Sequence, residues 1–228
     1  MIIQKSFIKF ASVCCFLTVA TTLGIHLFFP EPPADFEQRV LLFQDKTYIM
    51  NRWWIIVHCL LVVISMWGCA MLLIKKSPGF SILGFLFFSV FAVAEIARQM
   101  FVLFYVNELR QQYSVLTDPV IKEGLKFTIT NAGLLTAPLF GIFILMFGLG
   151  NLFYGLSLVI GQPGLDRVLS LMFIVWSIGC FLTLGNSFWN QSSVDSFLEK
   201  YSYTYQPLMR AIIGLWLWRK SGELQLHK

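Results

Sequence analysis

The sequence predicts an all-α protein, a polytopic bundle of transmembrane helices, and three observations lead to that prediction. The 228 residues are 57% hydrophobic and only 13% charged, whereas a soluble domain carries about 25% charged residues. Several apolar stretches reach the roughly 20 residues that a helix needs to cross the hydrocarbon core. Charges or Pro- and Gly-containing turns separate these stretches. We therefore expect one transmembrane domain covering residues 1–228.

Six spans are predicted in chain order. The first follows a basic start and is stopped by Pro30, and its bulky end favours a retained helix over a cleaved signal peptide. The second begins at Trp53, in an aromatic belt, and closes with Lys75 and Lys76. Short turns then lead into the third and fifth spans. The predicted spans cover residues 10–29, 53–74, 80–105, 132–159, 168–189 and 202–218.

The last of these segments has two interpretations. Gln206, Pro207 and Arg210 interrupt it, so it forms either a sixth crossing helix or an interfacial helix beside five spans. Six spans are favoured, because they put the basic Lys75-Lys76 turn on the same side as both termini, and basic loops mark the cytoplasmic side. Residues 31–52 likewise form either an interfacial amphipathic helix or a loop helix packed on the bundle.

The third span contains a polar step deep within its apolar run, formed by Glu95, Arg98 and Gln99. An ionisable group at such depth is costly and needs a partner or water. Glu95 and Arg98 are three residues apart, share a helix face and can pair. The pair is either a structural contact or part of a binding or proton-handling site. The other polar residues predicted to share this outer level, as one pocket, are His26, His58, Asn131, Asn186, Gln206 and Arg210.

Metal, cofactor and redox chemistry find little support in the sequence. The five cysteines lie in apolar runs without CxxC spacing, which is typical of small buried hydrophobic residues. His26, His58 and Glu95 are a chemically sensible metal ligand set, and the two histidines could ligate haem. However, no local motif such as HExxH accompanies them. We therefore predict neither a metal site nor a cofactor.

The favoured function is a non-catalytic accessory or small-ligand-binding membrane protein, with the lipid bilayer, a small ligand or a membrane subunit as partners and no nucleic acid. The alternative is a small proton- or anion-coupled transporter. In that case Arg98 or Arg210 would hold an anion, and Glu95 or His58 would exchange protons. An intramembrane enzyme would need a nucleophile–base pair or a metal, for which the sequence offers only Ser187 and His58.

Four stretches together give the chain its layout: the first span with its acidic loop, WWIIVHCLLVVISMWGCAMLLIKK, the Gly-rich PLFGIFILMFGLGNLFYG and the closing IIGLWLW. This layout resembles a family of bacterial multi-helix membrane proteins classed only as a domain of unknown function. The resemblance implies a bacterial inner-membrane protein, and the basic Lys75-Lys76 turn separately favours cytoplasmic termini. It implies no activity, so it assigns no role to any residue.

Overall fold

The computed structural model describes residues 4–160, 164–189 and 192–224. Over these ranges the chain is helical and contains no strand, so the predicted all-α bundle is confirmed. A π-helical segment joins α4 to α5 and makes them one continuous rod. The elements are α1 (Lys5–Phe28), α2 (Phe36–Val40), a 3₁₀ turn (Leu41–Phe43), α3 (Lys46–Leu73), α4 (Pro78–Met100), the π-helical segment (Phe101–Val106), α5 (Asn107–Val115), α6 (Pro119–Val159), α7 (Leu165–Trp189) and α8 (Ser192–Glu223).

Five of these rods are long and apolar enough to cross a membrane: α1, α3, the continuous α4–α5 rod, α6 and α7. The 32-residue α8 is more polar, yet it lies antiparallel against α1 over nearly its whole length. Near one end the hydroxyl of Ser12 donates to the carbonyl of Gly214 at 2.7 Å. Near the other end the His26 and Tyr203 rings are 4.1 Å apart between centroids. The tail is therefore packed along the bundle.

The six long elements form a closed ring. In chain order α1 packs on α3, α3 on α4, α4 on α6, α6 on α7 and α7 on α8, and α8 returns to α1. Tyr154 of α6 anchors the interior: it is fully buried and donates from its hydroxyl to the carbonyl of Met66 in α3, at 2.8 Å. Gly84 allows α4 to approach, since an added Cβ would lie 2.6 Å from the Tyr154 ring.

One end of the ring is held by Asp166, at the start of α7, and we call it the Asp166 end. The buried Asp166 carboxylate accepts from the indole N–H of Trp216 at 2.8 Å. Its oxygens also lie 3.5 Å from Nζ of Lys76 and 3.9 Å from Nζ of Lys220. The turn after α3, the start of α7 and the end of α8 therefore share one end, as the six-span interpretation requires.

At the opposite end the chain extends beyond the ring. At about 1.5 Å per residue, the 41 residues of α6 measure about 61 Å, twice the thickness of a hydrocarbon core of about 30 Å. The projecting parts of α5 and α6 pack together with α2 around a second small core formed by Val40, Tyr113 and Ile129. The helix in the first loop is thus packed on neighbouring helices, which is one of the two structures that the sequence allowed.

Two of the helices begin earlier in the chain than the sequence predicts. The fourth span is predicted to begin at residue 132, but α6 begins at Pro119 because Asp118 caps it, accepting from two backbone N–H groups. Similarly, Asp45 caps α3, which begins at Lys46, seven residues before Trp53. In the predicted turn at 161–164, residues 161–163 lie outside the described ranges, and Gly164 has a φ of 100°, which favours glycine. All five cysteines are buried and free, as predicted.

Candidate functional site

A cavity of about 610 Å³ lies between all six ring helices, toward the end opposite Asp166. Most of the wall surface is apolar, although nine of its 21 residues have polar side chains. Phe140, on the wall, is 44% exposed, and His26 and Ser187 are exposed as well, so the cavity reaches the surface. The wall residues are Thr22, Ile25, His26, Ile55, His58, Cys59, Phe91, Glu95, Phe140, Phe143, Ile144, Phe147, Trp176, Gly179, Cys180, Thr183, Asn186, Ser187, Tyr201, Ser202 and Gln206.

Helix α7 supplies one complete face of the wall. Its lining residues follow the i, i+3, i+4, i+7 spacing of one helix face: Trp176, Gly179, Cys180, Thr183, Asn186 and Ser187. Gly179 is near the centre of that face, and a Cβ added there would meet no atom within 4 Å. A larger side chain at this position would therefore project into the cavity rather than into a neighbouring helix.

The predicted polar step forms a connected network at the wall. The Glu95 carboxylate is 3% exposed and accepts from Nε and Nη2 of Arg98, at 2.9 and 2.6 Å. The Gln99 amide donates to it at 2.5 Å, and the Gln99 carbonyl accepts from Arg52 of α3 at 3.1 Å. Arg98 also lies over the Phe140 ring, 5.7 Å from its centroid. Glu95 is therefore a charge already neutralised within its own helix.

His58 is buried on the α3 wall, and its partner is one that the sequence analysis missed. Nδ1 of His58 lies 2.7 Å from the hydroxyl oxygen of Thr21 in α1. The same hydroxyl lies within hydrogen-bonding distance of the carbonyls of Leu17 and Thr18, at 3.1 and 3.3 Å. Thr21 is not a wall residue, whereas Thr22 is. The contact with Thr21 thus fixes the imidazole of His58, and the Thr21 hydroxyl is not part of the cavity wall.

Arg210 lies behind the wall on α8, one turn from the lining residue Gln206. Its side chain is only 3% exposed. The guanidinium carbon is 5.6 Å from the centroid of Phe147, a wall residue, and Nη1 is 3.9 Å from the sulfur of Met66, a weak acceptor. No carboxylate among the described residues lies within 4.0 Å of it, in contrast to Arg98.

The structure brings most of the predicted pocket residues together, with one exception. His26, His58, Glu95, Asn186 and Gln206 line the cavity, while Arg98, Gln99 and Arg210 contact lining side chains from behind.

The exception is Asn131, which lies away from the cavity and donates to the carbonyl of Phe127 in its own helix, at 2.8 Å. The physical reason is the length of α6. Asn131 lies in the N-terminal part of this helix, which projects beyond the ring. The wall of α6 consists of Phe140, Phe143, Ile144 and Phe147. The sequence predicts a polar residue at the level of the pocket on all six helices, but the part of the wall that α6 supplies is apolar.

Aromatic wall residues were also missed, above all Phe147 and Trp176. The signal that could have identified Trp176 is its spacing: Trp176 is ten residues, nearly three helical turns, from the predicted Asn186, so both lie on one face. In the ranges that the structure covers, no group of three or more His, Cys, Asp or Glu side chains is placed to hold a metal ion. No family model, curated protein or solved structure matches the chain.

Proposed function

We propose that the protein is a non-catalytic six-span membrane protein that binds a small amphipathic molecule in this cavity. The observation that carries the proposal is the cavity itself. Its volume falls in the range of about 300–1,000 Å³ that is usual for small-molecule sites, and such sites are mostly apolar with a few placed polar groups. Among the polar residues of this wall, we expect His58, Asn186 and Gln206 to orient the ligand.

A non-catalytic role is supported by the way in which the reactive side chains are arranged. His58 pairs with Thr21, whose hydroxyl is not on the wall, and the hydroxyl of Ser187 points back to its own helix, 3.5 Å from the carbonyl of Thr183. Nucleophilic catalysis requires a hydroxyl and a base that meet where a substrate can reach them. Binding without chemistry suits these contacts better.

The placement of six spans is part of the proposal. It is supported by the antiparallel packing of α8 on α1 and by the meeting of Lys220 with Lys76 at Asp166. The basic Lys75-Lys76 turn favours a cytoplasmic Asp166 end, with both termini on that side, and the layout resemblance favours a bacterial inner membrane. Single-cysteine labelling with an impermeant maleimide tests the crossing, and the five buried native cysteines give little background.

In that experiment Lys76→Cys and Lys220→Cys are expected to label from the same side and Asp45→Cys from the other. Intact cells and inverted vesicles provide the two orientations, and total labelling after detergent provides the control. If Lys220→Cys labelled together with Asp45→Cys, α8 would not cross and the six-span placement would be wrong.

Ligand binding is tested with a neutral fluorescent amphiphile, N-phenyl-1-naphthylamine, and protein in phosphatidylcholine nanodiscs. Gly179→Phe places a ring inside the cavity, so we expect saturable binding to weaken by at least about tenfold. Gly133→Phe is the matched control, because Gly133 is exposed on the outside of α6, is absent from the wall and has no atom near an added Cβ. Equal binding by the two variants would refute the cavity as the site.

A further inference from the structure

We propose that the cavity selects an anionic amphiphile, a molecule with one carboxylate, phosphate or sulfonate group on an apolar body, and that Arg210 supplies the counter-charge. This inference rests on the proposed function and names its ligand class. The argument uses three properties of the site: the burial of Arg210, the charge balance around it and its position at the wall.

Burial makes Arg210 an expensive residue. A guanidinium that is 3% exposed has lost most of its hydration, and a buried charge normally has an opposite charge and several acceptors around it. Arg210 has instead a thioether sulfur at 3.9 Å and the face of Phe147. An aromatic face attracts a cation, but neither contact provides a negative charge. The position is therefore suited to an anion that is not part of the described chain.

The nearest carboxylate of the wall does not fill this role. Glu95 is bound to two nitrogens of Arg98 and to the Gln99 amide, so its charge is matched by Arg98. His58 is turned to Thr21. Among the described residues, Arg210 is a buried cation in contact with the wall that has no carboxylate within 4.0 Å, in contrast to Arg98. A site of that charge favours a ligand that carries one negative charge.

Position connects this charge to the cavity. Gln206 is on the wall, and Arg210 follows four residues later, one turn further along the same face of α8. The ring that covers the guanidinium, Phe147, is itself a wall residue. A ligand that displaces the Phe147 ring from this position would meet the guanidinium directly behind it. Its planar fork can then donate two hydrogen bonds to an oxyanion.

The first test uses two dyes with the same aromatic body, anionic 1-anilinonaphthalene-8-sulfonate and neutral N-phenyl-1-naphthylamine, in phosphatidylcholine nanodiscs. Arg210→Met removes the charge and retains an apolar side chain, and Arg210→Lys retains the charge without the fork. We expect Arg210→Met to bind the sulfonate at least about tenfold more weakly than the wild type, and the neutral dye equally well. Arg210→Lys should lie between them.

The second test needs no variant. Dodecanoate and dodecanol share a chain and differ in their head groups, so dodecanoate should raise the Tm of the wild-type protein and displace the sulfonate dye, and dodecanol should do so at least about tenfold less effectively. Acetate and inorganic phosphate separate the sources of the anion. If they compete as well as dodecanoate, the site takes a small free anion and the amphiphile is wrong.

The two proposals fail in different ways. Equal sulfonate binding by Arg210→Met and wild type, with the neutral dye still lost in Gly179→Phe, would overturn the role of Arg210 and leave ligand binding in place. If neither dye depended on Gly179, the proposed function would be overturned, and the anionic ligand with it. Equal effects of dodecanoate and dodecanol on the wild type would overturn the charge selectivity even if Arg210→Met failed to fold.

Discussion

The contacts of the Asp166 carboxylate are expected to stabilise the Asp166 end of the ring strongly. Substitution of Asp166 therefore gives a quantitative prediction for the free energy of unfolding. Asp166→Ala leaves the indole N–H of Trp216, itself 3% exposed, without its acceptor. A hydrogen bond to a charged acceptor contributes about 1.5–3 kcal/mol. Lys76 and Lys220 are 41% and 24% exposed at their side chains, so each pair adds only about 0.5 kcal/mol.

Together these contributions predict that Asp166→Ala lowers the free energy of unfolding by about 3 kcal/mol. Asp166→Asn keeps an oxygen for the indole and should lose only about 1 kcal/mol. Glu223→Ala is the control: this carboxylate also pairs with Lys220, at 2.9 Å, but it is 45% exposed, and we expect a loss below about 0.5 kcal/mol.

Denaturation by sodium dodecyl sulfate in mixed micelles, followed by tryptophan fluorescence and by circular dichroism, measures all three variants. Coincident transitions from the two probes would justify a two-state free energy. The reasoning is refuted if Asp166→Ala and Glu223→Ala lose the same small amount, because the burial of Asp166 would then have no energetic consequence.

Two further substitutions test packing and charge inside the ring. Gly84→Ala puts a methyl group 2.6 Å from the ring of Tyr154, which is held by its own hydrogen bond. This variant should lower the free energy of unfolding by about 1–3 kcal/mol. Gly141→Ala, where an added Cβ meets no atom within 4 Å, should cause no loss, and equal stability of the two variants would argue against the close approach of α4 to Tyr154. Glu95→Ala leaves buried donors unsatisfied and should cost about 2–4 kcal/mol in the same assay. The double variant Glu95→Ala/Arg98→Ala should recover part of that loss, and full additivity of the two single changes would contradict the pairing.

Composition and periodicity were enough to predict the all-α bundle, because a bilayer leaves the backbone few alternatives. The pairing of Glu95 with Arg98 followed from spacing alone, since residues three apart on a helix meet. These features are local: each depends on one segment and on the solvent around it.

Features that depend on two segments could not be predicted in this way. Asn131 lies outside the pocket because α6 extends past the ring. Asp118 and Pro119 start this helix in a stretch whose polar composition predicts a loop. The partner of His58, Thr21, is separated from it by 37 positions. Hydropathy also says nothing about which face of a membrane helix meets its neighbours, because lipid and protein interior are equally apolar. Spacing from Asn186 is therefore a signal for Trp176 alone, and the part of the aromatic wall on α6, including Phe147, becomes apparent only when α6 and α7 are placed side by side.

Closure of the ring by α1 and α8 has a consequence for biogenesis. In the chain α1 precedes and α8 follows the other four ring helices, so the face of α1 that meets α8 must stay open until those four helices have been made. Helix α8 is also less apolar than the five helices that could cross a membrane by length and composition, and it carries the buried Arg210. In the six-span placement that we propose, insertion of α8 therefore depends on the open face of α1, where the hydroxyl of Ser12 and the thiol of Cys15 donate to carbonyls of the α8 backbone. The part of the cavity wall that α8 supplies, Tyr201, Ser202 and Gln206, is consequently added after the other five ring helices have been made.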